Sequence, residues 1–297
     1  MSNHGNAPTQ AQYAEFAGIV QSKLWPAIKC RLSGDEIKNF LQGRGPEEVM
    51  LRLRSGFTKT ESDLATSSSP FFASEEVASN YGYPQGYAVK PICEQLVALS
   101  KHFPKLDAGP MLACSKELPE MPAGAEGPFV VPKWQKVAAT YNESFEKALD
   151  MFAGTRTLYN NRKGQLGPKY LRQSERTVRA EEMIASMTKG DYMLIWAQFG
   201  LRWRGRSVRK VRYNYAPNEF GLGSFHSACM LLSHPERLVE WKQLYIDLPG
   251  DEYSPDAGGA FPYAPLFDFR GGWVEFGTGF VGAPDAHCGS ASGFLPQ

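Results

Sequence analysis

The chain has 297 residues, of which 42% are hydrophobic and 21% are charged, and its formal net charge is +1. A chain of this length and composition can bury one large core or two smaller ones. No apolar run approaches the roughly 18 residues that a membrane helix needs, and the first residues, MSNHGNAPTQ, lack the features of a signal peptide. The five cysteines are widely spaced and form no CxxC pair, and this pattern is compatible with a reducing compartment. We therefore expect a cytoplasmic protein without disulfides.

The N-terminal region, residues 1–103, is predicted to be helical. Residues 9–29 place apolar side chains at three- and four-residue spacings, which is typical of an amphipathic helix. Further helices are predicted to begin after Ser33 and at Pro46. The polar stretch ESDLATSSSPFF is predicted to be a loop, ASEEVASNYG a short helix and VKPICEQLVALSKHF a longer helix.

Residues 104–132 are rich in proline and glycine, which interrupt regular elements. We interpret this stretch as a linker, or as an extended segment over the surface, that precedes a second helical domain over residues 133–297. Helices are predicted there over four stretches: 134–154, about 169–187, 218–232 and 235–244. The apolar run DYMLIWAQFGL fits a buried helix or a strand, and residues 207–215 also fit either period.

The end of the chain has a different pattern. The stretch APLFDFRGGWVEFGTGF contains two alternating runs on either side of Gly271 and Gly272, which predicts a β-hairpin. The expected fold class is therefore mainly α with a small β element, the C-terminal hairpin, in an α+β arrangement.

Charge is distributed unevenly along the chain. Residues 1–154 carry 15 Lys or Arg against 17 Asp or Glu, residues 155–215 carry 14 against 4, and residues 216–297 carry 3 against 10. A basic centre of +10 thus precedes an acidic end of −7. Either these regions neutralise each other, or the basic centre is available to an acidic partner.

The densest part of the basic centre is FGLRWRGRSVRKVRYNY, which interleaves cations with aromatic residues. Arginine offers planar bidentate donors to phosphate and also stacks on bases and aromatic rings. The predicted nucleic-acid-binding residues are Arg202, Trp203, Arg204, Arg206, Arg209, Lys210, Arg212 and Tyr213. Six cations upstream are predicted to extend this patch: Arg162, Lys163, Lys169, Arg172, Arg176 and Arg179. The alternative is that these cations pair with the acidic end of the chain.

Other chemistry has weaker signals. His226, Cys229, His234, His287 and Cys288 are soft ligands, but their spacing matches no zinc motif, and Cys229 lies in an apolar run that indicates a buried thiol. No glycine pattern indicates a nucleotide site. The carboxylates Asp247, Asp251, Glu252 and Asp256 are predicted to lie in a solvated loop. We assign no catalytic residue, metal or cofactor.

One stretch, LRSGFTKTESDLATSSSPFFASEEVASNYG, loosely resembles ADP-ribosyltransferases, in which a Gly-Phe and a serine-rich strand follow a basic residue. The resemblance implies that Arg31 and Ser67 to Ser69 face a dinucleotide and that Glu275 is the catalytic carboxylate. No clear Glu-x-Glu accompanies it.

Three other stretches, LIWAQFGLRWRGRSVRKVR, NEFGLGSFHSACMLLSHPERL and DEYSPDAGGAFPYAPLFDF, resemble uncharacterised proteins of bacterial integrative and conjugative elements over about residues 130–297. This resemblance implies a setting of mobile DNA and brings no functional residues. The expected function is that of a non-catalytic accessory protein that binds nucleic acid, DNA in preference to RNA, with little sequence dependence. The alternatives are a structural or protein-interaction protein, including a homo-oligomer with paired charges, and an ADP-ribosyltransferase-like enzyme.

Overall fold

The structure is a computed structural model, and it describes residues 72–115 and 118–296. The chain divides into two units, residues 1–68 and residues 69–297, and the described residues all belong to the second. The helices predicted after residue 9, after Ser33 and at Pro46 lie outside the described residues.

The described residues form six α-helices and eleven strands in two sheets. The helices are α1 (Ile92–His102), α2 (Gly109–Cys114), α3 (Tyr141–Ala153), α4 (Glu175–Met187), α5 (Val208–Asn214) and α6 (Ser224–Ser233). The strands are β1 (Gly127–Pro132), β2 (Leu158–Asn160), β3 (Leu171–Gln173), β4 (Tyr192–Gln198), β5 (Glu219–Gly221), β6 (Tyr245–Asp247), β7 (Asp251–Tyr253), β8 (Tyr263–Arg270), β9 (Trp273–Phe280), β10 (Cys288–Ser290) and β11 (Ser292–Phe294).

The predicted fold class, mainly α with a small β element, is wrong because the protein is α+β and rich in strands. The apolar run after Gly190 is strand β4, and it is buried along nearly its whole length. Residues 218–232 divide into the short strand β5 and helix α6. Residues 235–244 contain one 3₁₀ turn, and ASEEVASNYG is extended apart from an initial turn. Short buried strands have too few residues to show a period, so prediction from apolar content alone assigned them to helices.

Several local predictions are confirmed. Helix α1 lies within the predicted stretch, and Thr140 begins α3 with a capping box that it forms with Glu143. Helix α5 settles the open choice at residues 207–215. Strands β8 and β9 form the predicted hairpin, in which Gly271 and Gly272 make the two-residue turn with positive φ angles.

The four-stranded sheet has the order β1-β4-β11-β5 and is antiparallel throughout. Its edge strand β1 is closed by the buried side chain of Gln95, which accepts from the Val130 amide at 2.8 Å and donates to the Pro128 carbonyl at 2.8 Å. The amide group of Gln95 thus takes the place of a neighbouring strand. Strand β1 lies within the predicted linker, and the predicted boundary there stays a prediction.

The seven-stranded sheet has the order β10-β6-β8-β7-β3, with β9 paired to β8 and β2 paired to β9. Helix α3 packs on this sheet through Phe145, whose ring contacts Phe276, and through Phe152, whose ring contacts Phe267. Helix α6 is buried on all sides and contacts α1, α3 and β1. A helix that is buried all round lies at the centre of a core. In the described part of the chain, no helix is long and apolar enough to cross a membrane.

Candidate nucleic-acid interface

The predicted nucleic-acid-binding residues all lie in residues 202–213, which we call the basic segment. It consists of the end of a 3₁₀ turn (Leu201–Trp203), a short extended stretch and most of helix α5. Ser207 begins the helix because its Oγ accepts from the Lys210 amide at 3.0 Å. The sequence therefore places successive cations first on an extended chain and then on a helix.

An extended stretch from earlier in the chain, residues 72–82, lies along the basic segment, and we call it the acidic arm. The Val77 amide donates to the Gly205 carbonyl at 2.8 Å, and the Ser207 amide donates to the Glu75 carbonyl at 3.1 Å. The backbones at Glu76 and Arg206 form an isolated antiparallel bridge. The acidic arm is thus joined to the basic segment in a defined register.

Both carboxylates of the acidic arm bind cations of the basic segment. Glu75 accepts from Ser207 Oγ at 2.6 Å and binds the Arg209 guanidinium through both carboxylate oxygens. Glu76 lies 2.6 Å from Lys210 Nζ and 3.2 Å from Arg206 Nε. The hydrogen bond from Arg209 lowers the pKa of Glu75, and that from Lys210 lowers the pKa of Glu76. Both carboxylates are therefore charged at neutral pH.

Arg202 and Trp203 contact a third carboxylate, Glu219, which is fully buried at the start of β5. Trp203 Nε1 donates to Glu219 Oε1 at 2.6 Å, and Arg202 Nε lies 3.4 Å from the same oxygen. The guanidinium groups of Arg202 and Arg206 lie over the Trp203 ring at 5.1 and 5.3 Å. The structure places Trp203, which is 6% exposed, inside the fold.

Lys210 is buried, Arg212 is half-buried, and both have structural contacts. Lys210 is 3% exposed. Arg212 donates to the carbonyls of Pro249 and Asp251 at 2.9 and 2.6 Å, and burial lowers its pKa. Because a charged donor to a buried carbonyl is costly to remove, Arg212 ties α5 to β7.

The solvent-facing part of the basic segment consists of Arg204, Arg206, Arg209 and Tyr213. Arg204 and Tyr213 are exposed, and the side chains of Arg206 and Arg209 are 33% and 44% exposed. Arg204, Arg206 and Arg209 all contact the acidic arm, at Tyr81, Glu76 and Glu75 respectively, so they lie along one surface. Among the described residues, the six cations of the basic segment contact three carboxylates, which leaves an excess of +3.

The cations upstream of the basic segment are mostly engaged with the C-terminal third or with their own helix. Arg172 pairs with Glu252 at 2.8 Å, and Arg176 donates to the Glu219 carbonyl at 2.8 Å. Arg162 lies over the Tyr253 ring, and Arg179 pairs with Glu175 one turn away on α4. Lys163 and Lys169 are exposed. The pair of Arg172 with Glu252 is of the kind that the alternative predicts, whereas Arg176 contacts a backbone carbonyl and Arg162 an aromatic ring.

The carboxylates predicted to lie in a solvated loop do not all do so. Asp247 and Asp251 are buried in β6 and β7, and burial raises their pKa values to about 7 and about 6. Tyr141 donates to Asp251 at 2.9 Å, and the Ser224 amide donates to it at 2.7 Å at the start of α6. The loop prediction is therefore wrong for these two residues, because their strands are too short to be recognised between the surrounding Pro and Gly residues.

The residues considered for other chemistry are dispersed. Cys229 is buried, which raises the pKa of its thiol, and His226 lies 2.8 Å from Glu181 in the core. Within residues 72–115 and 118–296, no three His, Cys, Asp or Glu side chains are arranged to hold a metal ion. Glu275 lies on β9 and accepts from Asn161. Arg31 and Ser67 to Ser69, which the ADP-ribosyltransferase resemblance places with it, lie outside the described residues.

No local signal identifies the partners of the basic segment. Glu75 and Glu76 fall within the predicted short helix ASEEVASNYG, and Glu219 falls within the predicted helix over residues 218–232. The adjacent pair Glu75-Glu76 is acidic, and the basic segment needs counter-charges. Glu75 and Glu76 contact Arg209 and Lys210 across 134 residues of sequence, however, and no local period encodes such contacts.

Comparisons of the chain with protein-family models, with curated proteins and with solved structures found no match.

Proposed function

We propose that the protein is a non-catalytic accessory protein that binds nucleic acid through the phosphate backbone, with Arg204, Arg206 and Arg209 as its main contacts. The observation that carries the proposal is the row of three solvent-accessible guanidinium groups along one surface, beside the exposed ring of Tyr213. Guanidinium groups bind phosphate oxygens in bidentate geometry, and an aromatic ring offers a stacking surface to an unpaired base.

The electrostatics of the basic segment support this proposal. Three carboxylates leave half of its six positive charges uncompensated, and an ion pair as exposed as that of Arg206 with Glu76 contributes little stability. A phosphate can therefore exchange with the carboxylate at Arg206 at small cost. Arg202, Lys210 and Arg212 have structural contacts, and we assign them to the support of the surface.

Contacts to the backbone carry no sequence information, so the proposed binding is sequence-tolerant. It suits the mobile-DNA setting that the resemblance to proteins of integrative and conjugative elements implies, and DNA is the expected partner. A structural or interaction role is the second candidate, because Arg172, Arg176 and Arg202 contact residues of the C-terminal third.

The test is fluorescence anisotropy of labelled duplex DNA, single-stranded DNA and RNA across a salt series. The variant Arg204→Gln/Arg206→Gln/Arg209→Gln removes three contacts, while glutamine at 209 can still hydrogen-bond Glu75. Each phosphate contact on a duplex contributes about −0.9 to the slope of log affinity against log salt, so the variant is expected to lose about 2.7 units.

The matched control is Lys101→Gln/Lys105→Gln/Lys242→Gln, which removes the same charge from exposed side chains on other elements. This control is expected to keep the wild-type slope to within about one unit. An equal loss in both variants would show that binding follows net charge, and absence of binding by the wild type at low salt would favour the interaction role.

A further inference from the structure

We propose that the acidic arm is an intramolecular competitor of nucleic acid: Glu75 and Glu76 occupy cations that a phosphate backbone contacts when the arm is displaced. The inference rests on the proposed function, and it adds a regulatory element to the same surface. It predicts a binding surface that is partly closed in the free protein.

The two carboxylates bind the cations at the positions that we assign to phosphate groups of the nucleic acid. Glu75 binds Arg209 in the bidentate manner that guanidinium groups also use for phosphate, and Glu76 bridges Arg206 and Lys210. Two negative groups on one extended chain therefore contact three of the six cations and neutralise two of the six positive charges.

The acidic arm is held mainly by polar contacts. Of its residues 72–82, all of which the structure describes, Glu75 alone is buried, while Val77 is 38% exposed and Phe72 and Tyr81 are half-buried. Segments with few buried apolar contacts open at low free-energy cost, and attachment through charges weakens as salt rises. A polyanion is thus the kind of ligand that can displace the arm.

The attachment is nevertheless specific. Gly205 has a φ of +71°, and a Cβ atom there would lie 2.3 Å from the Val77 carbonyl oxygen, so only glycine allows the two backbones to meet at this point. Phe72 lies beneath the Arg209 guanidinium at 4.9 Å and contacts the Tyr213 ring edge to face. The arm therefore covers the same side of the basic segment as the proposed phosphate contacts.

Displacement has two consequences. It frees Arg206 and Arg209 from their carboxylates, which increases the number of cations available to phosphates. It also lowers the observed affinity. A ligand that binds only the open form binds more weakly when a larger fraction of the protein is closed.

The test compares the wild type with the full-length variant Glu75→Gln/Glu76→Gln, which keeps the shape of the acidic arm and removes its charge. The probe is the labelled DNA duplex, and its affinity is measured by anisotropy in about 0.1 M salt. Removal of two negative charges next to the proposed contacts is expected to tighten binding about tenfold. The matched control is Glu94→Gln/Glu146→Gln, which makes the same charge change at exposed positions on α1 and α3.

Tighter binding by the arm variant, with a change below about twofold in the control, supports the inference. If the wild type binds and the two variants change equally, or if the arm variant is unchanged, the arm is not a competitor while the proposed function stands. If neither the wild type nor the arm variant binds at low salt, the proposed function fails and the inference fails with it.

Discussion

Individual carboxylates determine which cations of the basic segment are held in the fold and which stay partly open to solvent. Glu219 is buried and holds Trp203 and Arg202 from below, so these residues support the surface. Glu75 and Glu76 hold their cations from a polar arm and leave the guanidinium groups of Arg206 and Arg209 partly open. The same kind of side chain thus has a structural role in one place and, in our proposal, a regulatory role in the other. The surrounding element makes the difference, because Glu219 lies in a strand of the sheet whereas Glu75 and Glu76 lie on an arm that is held mainly by polar contacts.

A buried carboxyl group also predicts how stability depends on pH. Burial in β6 raises the pKa of Asp247 from 3.8 to about 7. The folded protein then binds this proton more tightly than the unfolded chain does, so the free energy of unfolding falls as pH rises from about 4 to about 7. Asp247→Asn is expected to remove this part of the dependence, which is on the order of 4 kcal/mol.

Urea denaturation at several pH values measures this effect. The control is Asp150→Asn, which makes the same change at an exposed position on α3. If the free energy of unfolding of Asp247→Asn depends on pH as steeply as that of the wild type, another group, such as Asp251 or Asp268, dominates the titration.

At the scale of elements, the sequence predicted those that carry their own local signal. At α5 the sequence left helix and strand open, but the amphipathic face of α3 and the glycine turn of the β8–β9 hairpin are encoded within a few residues. The three-residue strands are not, because they are strands only through neighbours that come from distant parts of the chain. Strand β11, for example, pairs with both β4 and β5. The basic segment was visible by charge, while its partners were not.

The edge of the four-stranded sheet offers a test at this scale. Gln95 is fully buried and serves three backbone groups: the Val130 amide, the Pro128 carbonyl and the Lys90 carbonyl. Gln95→Ala leaves all three without this partner and is expected to lower the free energy of unfolding by about 3 kcal/mol.

Urea denaturation of Gln95→Ala should be compared with Gln135→Ala, an exposed glutamine in the 3₁₀ turn after β1. The exposed change is expected to stay within about 0.5 kcal/mol of the wild type. Equal small effects would show that the edge of β1 does not depend on Gln95.

At the scale of the whole molecule, a net charge of +1 conceals the separation between a basic centre and an acidic end of the chain, and contacts within the fold neutralise these charges only in part. Arg172 of β3 and Arg176 of α4 contact the C-terminal third, whereas most cations of the basic segment contact the acidic arm or Glu219. The basic segment therefore keeps an excess of positive charge on one surface. We propose that this excess of charge binds nucleic acid and that the acidic arm regulates the binding.

The most direct test is hydrogen exchange of the full-length protein with and without saturating duplex DNA. The account predicts that the Val77 amide, which donates to Gly205, exchanges faster when DNA is present, while amides of the buried strand β4 stay unchanged. It also predicts slower exchange within residues 202–213, which the duplex covers. Protection confined to another surface, or DNA binding that leaves both the acidic arm and the basic segment unchanged, would contradict the account.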